Sequence, residues 1–216
     1  YAFDEILQWA EKSSSMGYKY EKRAPTFDRF VKDISERLDI ADISFEKVTV
    51  PLVGGGTVTT PVFDTNAMIG NLLDDPRIRP HLLINWKDPS KPVPSDQPGF
   101  LDEIHSGRWH RRTTKQLRLK AHEELLAGLL VFIDRTHLAQ QDRLGITPVL
   151  FSLSIIPRWL RNYSFAWKPL GFIRKTPPSR VKGSTVDDFH RQLYSIFRGI
   201  RQIQSNGGLP YTFIDD

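Results

Sequence analysis

The sequence predicts an α+β chain in which three antiparallel strands lie side by side and a helix follows them. Residues 129–134 read Leu-Leu-Val-Phe-Ile-Asp, an apolar run that stops at a carboxylate. Five consecutive apolar residues of β-branched and aromatic type fit a strand buried on both faces. Two more strand candidates follow, Ile146–Ile156 and Tyr163–Ile173, with Gly145 before the first and Pro157 after it. The links are shorter than the dozen or so residues that a parallel crossover needs, so the three form a meander. A helical pattern then begins near Thr185.

The elements before the meander alternate between helix and hairpin. Asp4–Met16 carries Ile6, Leu7, Trp9 and Ala10, an amphipathic helix with Asp4 as its cap. Thr26–Leu38 repeats the design with Phe27, Phe30, Val31, Ile34 and Leu38 at helical spacing. Phe45–Val53 and Thr57–Phe63 flank Gly54-Gly55-Gly56, which predicts a hairpin turn. The triple glycine is no phosphate loop, because no Lys-Ser/Thr and no helix follow it. Asn66–Leu73 predicts a short helix ended by Asp74-Asp75-Pro76.

A Pro-rich connector over 87–98 divides an N-terminal α+β region (1–98) from a second unit (99–216). In that second unit, Lys175–Gly183 predicts a loop, and Ser184 or Thr185 caps the last helix. Asp187 and Asp188 fall in its first turn, where acids suit the helix dipole. Phe189, Leu193, Ile196, Phe197, Ile200 and Ile203 form one apolar stripe, with Arg191, Arg198 and Arg201 off it. Asn206-Gly207-Gly208 ends the helix, and Leu209–Ile214 starts a further strand.

Composition bounds the function. A chain of 216 residues with 39% hydrophobic and 25% charged residues supports a folded core. No apolar run approaches the roughly 20 residues of a membrane span, and no signal peptide opens the sequence. Both ends look cut from a longer protein. The absence of Cys excludes disulfides and thiolate zinc sites, and favours an intracellular setting.

Charge is divided unevenly. Residues 1–104 hold 12 Lys/Arg against 17 Asp/Glu, and residues 105–216 hold 18 against 8. The basic half implies either a polyanionic partner or a solvated basic surface. Within it, residues 104–122 contain no acid and present Arg108, Arg111, Arg112 and Lys115 around Trp109. Residues 143–186 also lack acids, and interleave Arg158, Arg161 and Lys168 with Trp159, Tyr163 and Trp167. Cations among flat rings suit a nucleic-acid backbone, although packing on a strand face explains part of the aromatic content equally well. His105, His110 and His122 come without Cys, and a metal site among them is not expected.

Strand-strand-strand-helix, with an acid ending the first strand, is the order in which a ribonuclease-H-like nucleotidyl-transfer domain opens. Particular motifs add to this order: Asp134-Arg135-Thr136, Pro148–Leu153, Ile156-Pro157 with Arg161, and Leu170-Gly171-Phe172-Ile173. Upstream stand Gln8-Trp9-Ala10, Asn71–Pro76 and Ser106-Gly107-Arg108-Trp109. Together these resemble the Plavaka-type transposases, CACTA-like DDE transposases of eukaryotic mobile elements. Ile155 and the Ile173-Arg174 pair depart from the family pattern.

The resemblance implies the opening half of a ribonuclease-H-like catalytic domain, a nuclear location, DNA as partner and a homo-oligomer in the full-length protein. It further implies Mg²⁺ or Mn²⁺ as cofactor, with Asp134 as the first of three metal-binding acids and the other two beyond residue 216. A hard divalent cation prefers carboxylate and phosphate oxygens, and a paired site polarises both the attacking and the leaving oxygen. An acid ending a buried strand also carries a desolvation penalty that such an ion relieves. With one acid of three, this chain alone is expected to be inactive. Two alternatives stand beside this expectation: a non-enzymatic DNA-binding remnant of a transposase, and an α+β protein-interaction domain.

Overall fold

A computed structural model describes residues 44–91, 93, 103–134, 136–137, 145–176 and 181–213. The helices expected at 4–16 and 26–38, and most of the end of the Pro-rich connector, lie outside the described residues. The described part is mixed α and β, with one antiparallel sheet and four α-helices.

Hairpin β1 (Phe45–Pro51) and β2 (Thr57–Phe63) turns through the triple glycine. Gly55 and Gly56 take φ of 91° and 81°, which only glycine adopts without strain. Asp64 then caps helix α1 (Thr65–Asp74) by accepting the backbone N–H groups of Asn66 and Ala67. Helix α2 is Arg108–Leu117, followed by strands β3 (Leu129–Ile133), β4 (Thr136–His137), β5 (Gly145–Leu153) and β6 (Lys168–Arg174). Helices α3 (Ser184–Ile196) and α4 (Arg198–Ser205) complete the order.

The sheet order is β1-β2-β6-β5-β3, with β4 pairing the start of β5. The meander is therefore present: β3 pairs β5 from Leu129↔Leu153 to Ile133↔Val149, and β5 pairs β6 with a bulge at Val149/Leu150. The Pro-rich connector does not separate two sheets. The hairpin joins the meander through β2 and β6, at Val62↔Gly171. Gly171 is required there, since a Cβ would lie 2.6 Å from the Pro61 carbonyl oxygen and 2.9 Å from Ile196 Cγ1.

Four expectations are corrected. Leu129–Ile133, expected to be buried on both faces, is an edge strand with Val131 41% and Ile133 38% exposed. The strand buried on both faces is β6, between β2 and β5, where Leu170 and Phe172 are in the core. The third strand starts at Lys168, because residues 160–162 and 164–166 form 3₁₀ turns. The single helix expected from Thr185 breaks at Phe197, and its N-cap position is Gly183, without a capping side chain. Just past that break, Gly199 meets α1, where a Cβ would lie 2.2 Å from the Thr65 hydroxyl.

The buried face of α3 also differs from the apolar stripe. Its buried residues are Ser184, Asp188, Gln192 and Ile196, one turn apart. Asp188 accepts the Val53 backbone N–H at 2.7 Å, which docks the hairpin on the helix. Gln192 Oε1 accepts both the Thr60 hydroxyl and the Arg174 N–H, while its amide donates to the Arg174 carbonyl. One side chain thus satisfies groups on β2 and β6 that burial would otherwise leave unpaired.

Candidate nucleic-acid interface

Helix α2 carries two opposed faces. Arg108, Arg111, Arg112 and Lys115 recur at i, i+3, i+4 and i+7, which places them on one stripe about 10 Å long. His110, Thr113, Thr114 and Leu117 recur in the same way on the other side. The cationic stripe is exposed, and His110 is the buried residue of the helix. Trp109 is exposed as well, with its ring edge over Gly128. The helix has no acid in its first turn and no capping side chain at Gly107. Cations there oppose the positive end of the helix dipole, so an anionic partner would improve the helix. Arg111 Nη2 donates to the Ser106 carbonyl at 2.7 Å and is partly anchored by it.

Glu103 opens the 3₁₀ turn 104–106 that leads into this helix. Its carboxylate accepts the backbone N–H of Arg158, and Arg161 Nη2 at 3.0 Å. The start of α2 is thereby fastened to the turn that follows β5. Arg161 also donates to the Ile156 carbonyl at 2.5 Å. Its side chain is 12% exposed against 13% for Glu103. Arg161, expected to contact phosphate, is corrected to an internal cation that closes the 156–161 turn. Lys168 is corrected likewise: it opens the central strand β6 and is 1% exposed, out of reach of any phosphate.

The charge of Lys168 reaches Asp75. Burial pushes the Asp75 carboxyl up, but hydrogen bonds from Arg77 and the charges of Arg77 and Lys168 hold it below its usual 3.8. Arg77 grips Asp75 through Nε at 2.8 Å and Nη2 at 2.5 Å. Arg158, by contrast, stays exposed beside Trp159. Of the seven cations the sequence proposes, Arg108, Arg111, Arg112, Lys115 and Arg158 remain at the surface.

Asp134 follows the last residue of β3 and is exposed, so the desolvation penalty argued from a buried strand end does not arise. Mg²⁺ takes near-octahedral oxygen coordination, with one or two carboxylates fixing it in place. Among the described residues no group of three or more His, Cys, Asp or Glu could hold a metal ion. The described residues therefore do not make up a Mg²⁺ or Mn²⁺ site, and no metal-dependent step follows from them.

The histidines act within the fold. His110 and His105 line a cavity of about 20 Å³ with Leu83, Leu126 and Ile155, and among the described residues neither Nδ1 has a hydrogen-bond partner. Burial holds the His110 imidazole below its usual 6.5, aided by the charge of His105 and opposed by a backbone hydrogen bond at Leu126. His122 has φ of 63°, its backbone N–H donates to Asp88 Oδ1, and its Nδ1 lies 2.9 Å from the Lys87 carbonyl.

Asp88 was missed as a structural residue. Its carboxylate accepts the Ser90 N–H and hydroxyl as well as the His122 N–H, and pairs with Lys91 at 2.9 Å. The Ser90 hydroxyl bond, first among these, holds its pKa far below the carboxylate range. The signal available in the sequence was Asp88-Pro89-Ser90, a turn in which an Asp accepts from two residues on.

No protein-family model, curated protein or solved structure matches the chain. Among the described residues, no helix is long and apolar enough to cross a membrane.

Proposed function

We propose that the chain is part of a DDE-type transposase that grips the DNA backbone through α2. The observation that carries the DNA contact is the four-cation stripe of Arg108, Arg111, Arg112 and Lys115, exposed along one face of a helix without acids. Four cations over about 10 Å match roughly three base-pair steps of a phosphate backbone. Glu103, in the segment that leads into α2, accepts the Arg158 backbone N–H, and Arg158 supplies a fifth exposed cation. The strand order β6-β5-β3 followed by a helix, with Asp134 closing β3, is consistent with the opening of the catalytic domain that the motifs resemble. In that proposal Asp134 is one ligand of a Mg²⁺ or Mn²⁺ site whose other acids lie outside this chain, and the chain acts in the nucleus as part of an oligomer.

A second reading keeps the DNA contact and drops the chemistry. The exposed position of Asp134 just after an edge strand, in place of a buried strand end, favours a non-enzymatic DNA-binding remnant.

Binding of a fluorescent DNA duplex at increasing salt tests the shared part. Five contacted phosphates give a log–log slope of about −4.5, at about −0.9 per phosphate. Absence of binding at low salt would overturn both readings. Extending the protein past residue 216 then separates them: Mg²⁺-dependent nicking that Asp134→Asn abolishes supports the transposase, and DNA binding without nicking supports the remnant.

A further inference from the structure

Two large rings stand in solvent on the turn that carries the exposed Arg158. Trp159 is 51% exposed and Tyr163 52%. Between them Leu160 is buried, and the turns around it are closed by Tyr163 N–H to Leu160 carbonyl and Leu160 N–H to Pro157 carbonyl bonds. Trp167 Nε1 adds a bond to the Arg161 carbonyl at 2.8 Å. The backbone that presents both rings is therefore well fastened.

Each ring is also supported by a neighbour. Tyr163 stacks on Phe165 with centroids 5.4 Å apart and planes 13° from parallel. The Arg77 guanidinium lies 4.3 Å from the centroid of Phe165, and Asp75 holds Arg77 in turn. Trp159 meets His81 edge to face at 5.0 Å. Arg77 and His81 are four residues apart on one connecting segment, so both rings rest along the same short stretch of chain.

Rings held this firmly in solvent lose little further freedom when a flat ligand stacks on them. The surrounding charge selects among flat ligands. Arg158 is exposed at one end, while the acids at the margin, Asp75 and Glu103, are committed to Arg77 and Arg161. A basic margin with flat rings, and with its acids neutralised, suits nucleobases on an anionic backbone.

We infer that Trp159 and Tyr163 form a stacking platform for unpaired nucleotides of a single DNA strand. The inference rests on the DNA-contact reading above and extends it: α2 and Arg158 hold phosphates, and the two rings take bases that are not in a duplex. A duplex keeps its bases stacked on one another, so the platform contributes to single-strand binding alone.

The test compares a fluorescent oligothymidylate with a fluorescent duplex, both titrated with the whole chain at low salt. Trp159→Ala and Tyr163→Ala should each weaken single-strand binding roughly five- to 150-fold. Duplex affinity should stay within about twofold of wild type in both. Trp159→Phe should retain most of the single-strand affinity, and should lose part of the tryptophan quenching that the oligothymidylate causes in wild type. That last measurement needs no destabilising truncation. Thermal melting of each variant confirms that it is folded. Binding of duplex but not of single strands by wild type overturns the platform and leaves the DNA-contact reading standing. An unchanged ratio of the two affinities in folded Ala variants does the same. Binding of neither by wild type overturns both.

Discussion

On α2, four cations stand in solvent along one stripe, whereas Arg161 and Lys168 are turned into the body of the protein. Both groups come from acid-free stretches of sequence, and both sit among aromatic residues. The difference lies in what folds against them. Arg161 meets Glu103, which is more than fifty residues away in the chain, and Lys168 lies in a strand with a neighbour on either side. Among the described residues nothing comparable covers Arg108 or Arg112. Local charge density therefore counts cations without separating those that hold the fold from those left over for a partner. Long-range pairing makes that separation.

Exchange of Arg108, Arg111, Arg112 and Lys115 for Gln sharpens the contrast most. Duplex affinity at low salt should fall about a thousandfold, and the salt slope should flatten by about 3.6. The melting temperature should hardly move, because exposed side chains away from packing change stability by at most about 0.5 kcal/mol each. Anisotropy titration and thermal melting read the two effects separately. A large loss of stability would place these cations with Arg161.

Arg161→Ala should do the reverse. It leaves the partly buried Glu103 carboxylate without its guanidinium partner, at a cost of up to about 3 kcal/mol. At the full cost a chain of this size would melt roughly 6–12 °C lower. Duplex affinity per folded molecule should be unchanged. Pairing Arg161→Met with Glu103→Gln should recover part of the loss, since both charges are then gone. Lys168→Met is expected to be milder, at about 1–2 kcal/mol by chemical denaturation, because Asp75 keeps its bonds from Arg77.

The smallest effect concerns the inward face of α2. The folded His110 imidazole has its pKa below 6.5, so the folded chain binds fewer protons than the unfolded one. Stability is full above about pH 6.5 and is lost as pH falls through that value toward the folded pKa. From about pH 8 down to 5, wild type should lose more stability than His110→Leu, as chemical denaturation at each pH would show. Equal pH profiles for the two would mean that His110 binds protons alike in the folded and unfolded chain.

Much of the fold could be read from local pattern. The glycine turn, the helix before Pro76 and the three-strand meander all follow from residues within a few positions of one another, whereas the cap at Asp64 was not read from the sequence. Which strand is central could not be read in this way. Leu129–Ile133 is more uniformly apolar than Lys168–Arg174, yet the second is the buried one, because the hairpin pairs with β6 from more than a hundred residues away. The desolvation argument for Asp134 rested on burial and does not apply at its exposed position, whereas its proposed place in a metal site rests on the motifs around it. The stripe on α2 was legible as charge, and its isolation from acids became evident only once Glu103 was seen engaged with Arg161. Asp188 and Gln192 were hidden for the opposite reason: a polar residue on a helix reads as solvent-facing until its partner on another element is known.

The outer edge of β3 has a consequence for handling the protein. Among the described residues no strand pairs on that side, so every second residue presents unpaired backbone N–H and C=O groups. The strand reads Leu-Leu-Val-Phe-Ile, without the Lys, Pro or bulge that guards the edges of sheets. Five apolar residues of high β propensity and no charge are the type of segment from which ordered aggregates grow. Concentrated solutions should therefore thicken into β-rich assemblies over time. A single charge at the exposed Val131 acts as a gatekeeper, and Val131→Lys should delay the growth of thioflavin fluorescence while leaving the melting temperature close to that of the parent chain.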